Sequence, residues 1–104
     1  SGEVEVVKVT SKAATIKIPD SIKMGKTTYK VTSIGKNALK NNKTAKKVVI
    51  GNNVKTIGNS AFQKCAKLTS ITVGKGVEKL GSNVFKNSKK LKTPYLLYLN
   101  VLQN

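Results

Sequence analysis

The chain has few of the side chains that carry out chemistry. Its 104 residues include no histidine, no tryptophan and no arginine, one cysteine, and four acidic residues at positions 3, 5, 20 and 78. Metal sites usually need clustered His, Cys or carboxylate ligands, and catalysis usually needs a His, paired carboxylates or an activated nucleophile. The sequence therefore predicts a protein that is not an enzyme and that uses no cofactor or metal.

Long apolar runs are also missing. The longest one, at residues 95–99, is far shorter than the roughly 20 residues that cross a bilayer. No signal peptide or membrane anchor is recognisable, and a single cysteine cannot form an intramolecular disulfide. We therefore expect no insertion into a membrane.

The sequence does contain an internal repeat. Three similar segments begin 23 residues apart, at Val31, Val54 and Val77, and read VTSIGKNAL, VKTIGNSAF and VEKLGSNVF. Apolar or small residues recur at the same spacing in between; these are Asn42, Cys65 and Ser88, then Ala45, Leu68 and Leu91, then Val48 and Ile71, then Ile50 and Val73. A fixed period of this length predicts a solenoid, since a unit this short must stack on its neighbours to bury a core.

The lysines divide the repeat into an inside and an outside. No lysine between residues 35 and 92 falls at the apolar positions, and a charged side chain is rarely buried fully. Ile71 and Val73 alternate with Thr72, the pattern of a short strand with one buried face. We expect one such strand per repeat, stacked into a parallel sheet on one side, and a single 3₁₀ or α turn after Gly35, Gly58 and Gly81.

These residues resemble a known family. The pattern Cys65, Leu68, Ile71, Val73, Val77, Leu80-Gly81, Val84-Phe85 is similar to the BspA-type leucine-rich repeat, although repeat one departs from it at Asn42, Ala45 and Leu39. The resemblance implies a short solenoid from bacterial surface proteins that serve in adhesion and protein binding without catalysis. It also implies an extracellular or cell-surface location, for a secreted or surface-attached parent protein.

The two ends differ from the repeats, as solenoid ends must when they cover the core. Residues 4–9 and 14–18 alternate as strands, so we expect an N-terminal β-hairpin cap over residues 1–30. Three 23-residue leucine-rich repeats are expected to follow over residues 31–93, and the last of them is incomplete. The apolar tail at residues 94–104 is expected either to fold over the last coil or to pair with a second chain as a homodimer. All three parts would form one domain.

The candidate binding face is the outward side of the predicted sheet. On stacking, its positions come from neighbouring repeats and present a small, flat and moderately basic surface. The candidate residues are Lys46, Lys47, Val49, Thr69, Ser70, Thr72, Lys92 and Tyr95. The expected partner is a host or bacterial surface protein or an anionic glycan.

The charge supports a competing interpretation. Twenty lysines give a net charge of +16, and a basic chain can bind polyanions or nucleic acids through charge alone. Arginine is absent, however, Phe62 and Phe85 fall at inward positions, and the lysines are spread over many outward positions. Specific nucleic-acid binding is therefore the weaker alternative, and a structural spacer that binds nothing is a third.

Overall fold

The computed structural model describes residues 2–92, which form short strands and turns with no helix among them. The strands follow a coiled path, so the predicted mainly-β solenoid is confirmed. The eight strands are β1 (Gly2–Val6), β2 (Thr15–Ile18), β3 (Ser21–Met24), β4 (Thr27–Ile34), β5 (Lys47–Ile50), β6 (Thr56–Ile57), β7 (Ser70–Thr72) and β8 (Lys79–Leu80).

The strands stack into two sheets rather than one. A five-stranded sheet has the parallel order β1-β4-β6-β8, with β3 also paired to β4, and a three-stranded sheet has the parallel order β2-β5-β7. The prediction of one strand per repeat is thus wrong, because the second repeat supplies both β6 and β7. β6 and β8 have two residues each, too few for a sequence to show alternation.

The predicted hairpin between residues 4–9 and 14–18 is wrong in its pairing. β1 runs parallel to β4, with Val6 beside Ile34, and β2 runs parallel to β5, with Thr15 beside Lys47. Alternating apolar residues show that a strand has one buried face but not which strand it pairs with. The first strands therefore form an N-terminal coil (residues 2–20) on which the repeats stack.

An antiparallel hairpin is nevertheless present, between β3 and β4. Its turn consists of Gly25 and Lys26, and Gly25 has a φ of 63°. Glycine adopts this left-handed conformation without the steric cost that a Cβ brings. The hairpin leads from the N-terminal coil into coil 1 (residues 31–53), which is followed by coil 2 (54–76) and coil 3 (77–92).

The core is a narrow apolar column between the sheets, and it follows the predicted positions. Phe62 and Phe85 stack within it, with ring centroids 6.0 Å apart and planes 13° apart. All 20 lysines lie in the described part and are exposed. The buried residues of the repeats are Val31, Ile34, Ala38, Leu39, Ala45, Val48, Ile50, Val54, Ile57, Ala61, Phe62, Cys65, Leu68, Ile71, Val77, Val84 and Ser88.

The segments after Gly35, Gly58 and Gly81 are successive β-turns, not the expected 3₁₀ or α turn. Asn37 and Asn41 have φ of 61° and 66°, and the matching residues of the later coils also have positive φ. Such residues interrupt a helix but suit consecutive turns. Successive N–H groups donate in alternation to a carbonyl of the same turn and to a carbonyl of the next coil. Leu39 N, for example, donates to Ala61 O of coil 2 over 2.7 Å. These segments form one side of the solenoid, the turn edge (residues 35–45, 58–68 and 81–91).

Coil 3 is the last one within the described residues, and its inward side chains are less covered than those of coil 2. Leu80, Phe85 and Leu91 are half-buried, whereas Ile57, Phe62 and Leu68 at the equivalent positions of coil 2 are buried. The apolar tail at residues 94–104, expected either to cap the last coil or to pair with a second chain, lies outside the described residues.

Candidate binding face

The outward side of the three-stranded sheet carries most of the predicted residues. Parallel pairing sets Lys47 beside Ser70 and Val49 beside Thr72. A third row lies just before the strands, where Thr69 N donates to Lys46 O over 2.9 Å and Lys92 N donates to Thr69 O over 3.4 Å. Stacking at the 23-residue period therefore brings these residues together as expected.

Every predicted residue of this surface within the described part is accessible. Val49 is half-exposed, and the other six, Lys46, Lys47, Thr69, Ser70, Thr72 and Lys92, are exposed. Tyr95, the eighth predicted residue, lies outside the described residues.

The structure adds two residues that sequence reasoning missed. β2 joins the sheet in register, with Thr15 beside Lys47 and Lys17 beside Val49, and both new side chains are exposed. The signal was present in the sequence, since Ile16 and Ile18 alternate with Thr15 and Lys17 just as Val48 and Ile50 alternate with Lys47 and Val49. This alternation alone does not show that β2 joins the sheet, because the segment lies outside the 23-residue register. We call this surface the sheet face. Its described residues are Thr15, Lys17, Lys46, Lys47, Val49, Thr69, Ser70, Thr72 and Lys92.

A shallow groove of about 390 Å³ crosses the carboxyl ends of the three strands. Asp20 lies at this groove, and its Oδ1 accepts a hydrogen bond of 2.6 Å from Asn52 N. Asn52 Oδ1 in turn accepts one of 3.1 Å from Lys75 N in the next coil. The one acidic group at this end of the sheet thus ties turns of successive coils together.

Glu3 and Glu5, the two carboxylates of β1, lie on the five-stranded sheet. Glu5 Oε1 accepts a hydrogen bond of 3.1 Å from Ser33 Oγ, and Glu3 Oε1 accepts one of 3.4 Å from Thr32 Oγ1. Both lie on the exposed surface of the five-stranded sheet and are held by hydroxyls of β4. Their contacts are those of cross-strand pairs between neighbouring strands.

Cys65 is buried inside the solenoid, where its thiol forms a hydrogen bond between coil 2 and coil 1. Its Sγ donates to Leu39 O over 3.2 Å, and its N–H donates to Ser88 Oγ over 3.0 Å. Ser88, at the equivalent position of coil 3, donates in the same way to Phe62 O. Desolvation by burial raises the pKa of the Cys65 thiol, although hydrogen bonds from Asn42 and Ser88 partly oppose this. At neutral pH the group is a protonated thiol that packs and donates one hydrogen bond.

We expect Cys65 to react very slowly with a thiol reagent while the chain is folded. The nucleophile is the thiolate, and both burial and the raised pKa keep its accessible population low. If reaction requires unfolding, Ellman's reagent at pH 8 should label the native chain at least about a thousandfold more slowly than the chain in denaturant. Equal rates in the two conditions would contradict the buried position.

The part of the chain that the structure describes has neither a metal-ligand cluster nor a membrane-spanning helix. Residues 2–92 hold no group of three or more His, Cys, Asp or Glu side chains that could bind a metal ion. Within the same residues, no helix has both the length and the apolar character needed to cross a membrane.

The fold is similar to two solved bacterial structures. A leucine rich cell surface protein from Faecalibacterium prausnitzii is 28% identical and superposes with a TM-score of 0.80, covering 88% of this chain and 26% of its own. A leucine-rich repeat protein from Bacteroides capillosus is 24% identical with a TM-score of 0.62, covering 71% of this chain and 52% of its own, and shows the fold alone. The chain thus spans about a quarter of the F. prausnitzii protein and about half of the B. capillosus protein.

Comparison with families gives a match over most of the chain. No curated protein has a significantly similar sequence. Residues 8–98, however, match the family model described as the BspA type leucine rich repeat region (6 copies). That range includes the three 23-residue repeats and extends back into the N-terminal coil, which the structure shows stacking on coil 1. The chain belongs to the BspA-type leucine-rich repeat family.

Proposed function

We propose that the chain is a non-catalytic binding module of a bacterial cell-surface or secreted protein and contributes to adhesion. The sheet face is its contact surface for a protein or glycan of a host or bacterial surface. The observation that carries the proposal is the regular stacking of exposed lysine, hydroxyl and valine side chains on three paired strands. Because a rigid sheet holds these groups in place, few of them have to become ordered on binding, and the entropy cost of binding is small.

The family and the fold neighbour support the cellular location. The F. prausnitzii protein is described as a cell surface protein, and this chain resembles about a quarter of it. A module of this kind would be one segment of a longer repeat array. Three coils offer a small surface, whereas a stable protein interface buries about 800 Å² on each partner. We therefore expect weak single contacts that gain strength through many coils or copies.

The experiment is a binding measurement at physiological salt. The chain is titrated against a panel of immobilised host matrix proteins and bacterial surface glycans, and each that saturates is tested again with the variant Lys47→Glu/Thr72→Arg. Both exposed positions lie on the sheet face, so the variant should lose at least about tenfold in affinity through a reversed charge and a bulky side chain.

The matched control makes the same two kinds of exchange on the side of the solenoid that carries the five-stranded sheet, at Thr28 in β4 and at Lys55 just before β6. Thr28 and Lys55 are both exposed, and Thr28→Arg/Lys55→Glu gives the same net charge as the sheet-face variant. The control should bind as the native chain does. Equal losses in the two variants would place binding elsewhere, and no saturable partner at physiological salt would favour the spacer.

A further inference from the structure

A groove lies at the N-terminal end of the turn edge, where the first coil is shorter than those that follow. Eight residues connect Val6 to Thr15 in the N-terminal coil, whereas twelve connect Ile34 to Lys47 at the same positions of coil 1. The shorter segment leaves the turns of coil 1 partly uncovered. The resulting groove, which we call the lysine groove, has a volume of about 430 Å³ and is lined by residues 8–12 and 38–44.

Among the described residues, four lysines and no acidic residue line this groove. Lys8 and Lys12 come from the N-terminal coil, and Lys40 and Lys43 come from coil 1. All four are exposed, with hydroxyl and amide groups of Ser11, Thr44 and neighbouring residues between them. A concave surface lined by charges of one sign raises the local concentration of the opposite ion. The lysine groove is therefore suited to an anionic group that also offers hydroxyls.

The positive charge continues from the groove along the turn edge. Asn41 N donates to Gln63 O and Lys64 N donates to Lys86 O, each over 2.9 Å. These bonds join the turns of coils 1, 2 and 3, which carry Lys40, Lys64 and Lys86 respectively. Parallel backbones that are hydrogen-bonded in this way lie about 4.8 Å apart. Along the sequence the lysines are spread over many outward positions, but the stacked turns bring many of them to one side of the solenoid.

The turn edge has no opposing charge. Its three segments hold eight lysines and no acidic residue. Glu3, Glu5 and Glu78 belong to the five-stranded side of the coils, and Asp20 is bonded in the turn after β2. A row of positive groups at regular intervals matches a ligand that carries negative groups at intervals, which is a polymer rather than a single small anion.

The available side chains favour an acidic polysaccharide over a nucleic acid. No arginine is present to form paired hydrogen bonds with phosphates or guanine, and the turn-edge aromatics, Phe62 and Phe85, point into the core. The edge offers instead lysines mixed with asparagine, serine and glutamine, which can bond sulfate or carboxylate groups and sugar hydroxyls. We propose that an acidic polysaccharide binds in the lysine groove and extends along the turn edge.

This proposal extends the proposed function by naming a ligand class. It uses side chains outside the sheet face, so either proposal can fail without the other. The sheet-face variant Lys47→Glu/Thr72→Arg should bind the polysaccharide as the native chain does, which separates the two surfaces experimentally.

The test measures the affinity of the 104-residue chain for heparin, a sulfated polysaccharide, near 0.15 M salt. The groove variant Lys12→Glu/Lys40→Glu/Lys43→Glu is compared with the control Lys26→Glu/Lys55→Glu/Lys79→Glu, whose lysines are exposed in the β3–β4 turn and on the five-stranded side. Each variant lowers the net charge from +16 to +10, because three exchanges remove two charges apiece. Thermal unfolding of both variants checks that they fold.

The groove variant is expected to lose at least about tenfold in affinity for heparin, and the control less than about threefold. Equal losses would show that only the net charge matters and would overturn the proposal. Absence of saturable heparin binding to the native chain near 0.15 M salt would overturn it as well. A short duplex DNA is the comparison ligand, and binding as tight as that of heparin would contradict the choice of a polysaccharide.

A second variant tests the extension along the edge. Lys67→Glu/Lys86→Glu/Lys90→Glu changes exposed lysines of coils 2 and 3 that are absent from the groove lining and leaves Lys64, with its φ of 57°, untouched. It should also weaken heparin binding by about tenfold or more. Native affinity in this variant would mean that the ligand is confined to the groove and that no polymer follows the turn edge.

Discussion

Replacing Phe62 by alanine is expected to lower the free energy of unfolding by about 3–5 kcal/mol. The side chain is fully buried, with 0% of its surface exposed, and its ring stacks on that of Phe85 in coil 3. Removal of the ring leaves a cavity in the core between the two sheets. Because small domains are stable by about 5–15 kcal/mol, this loss is a large part of the total.

Chemical denaturation followed by far-UV circular dichroism measures the effect. Lys64→Ala is the control two residues away, and it should change the free energy of unfolding by less than about 0.5 kcal/mol since its side chain is exposed. Phe85→Ala should fall between the two, because the Phe85 ring is half-buried. Equal losses for Phe62 and Lys64 would contradict the division of the repeat into inward and outward positions.

Replacing Gly58 by alanine is expected to cost about 3 kcal/mol or more, at the upper end of the range for overpacking. A Cβ at this position would lie 2.5 Å from Lys36 N and 2.7 Å from Gly35 C, both backbone atoms of coil 1. Neither atom can rotate away, so the coils must separate. Separation would also stretch the hydrogen bond of 2.7 Å from Gly58 N to Ile34 O.

Gly25 provides the comparison, because its requirement is conformational and not steric. No atom lies within 4 Å of the Cβ that Gly25 would gain, but its φ of 63° is left-handed. Gly25→Ala should therefore cost about 1–2 kcal/mol, and Gly25→Asn less, since asparagine visits this region more readily. If Gly58→Ala proved no more destabilising than Gly25→Ala in the same denaturation experiment, close contact between coils could not be the reason for a glycine at position 58.

Much of the candidate site was predictable from the repeat alone. Residues one period apart, such as Lys47 and Ser70, must be neighbours once equivalent segments stack. Lys17 and Thr15 were missed because the N-terminal coil has a loop four residues shorter than that of coil 1, so its strands fall outside the register. The same difference in length creates the lysine groove, which no comparison of repeats reveals.

The sequence by itself determined the solenoid, its period, and which side chains point inward. It could do so because a narrow core admits only apolar or small side chains, and every repeat must meet that requirement at the same positions. Phe62 and Cys65 are buried where the pattern placed them, and each lysine is exposed.

Only the tertiary structure decided which strands pair and which charges become neighbours. Alternation in residues 4–9 and 14–18 specifies a buried face but not a partner, and the partners of β1 and β2 lie about 30 residues away in the chain. Lysines that are scattered along the sequence meet on the turn edge only after the coils have stacked. Pairing and surface charge depend on contacts between distant segments, which a local pattern does not contain.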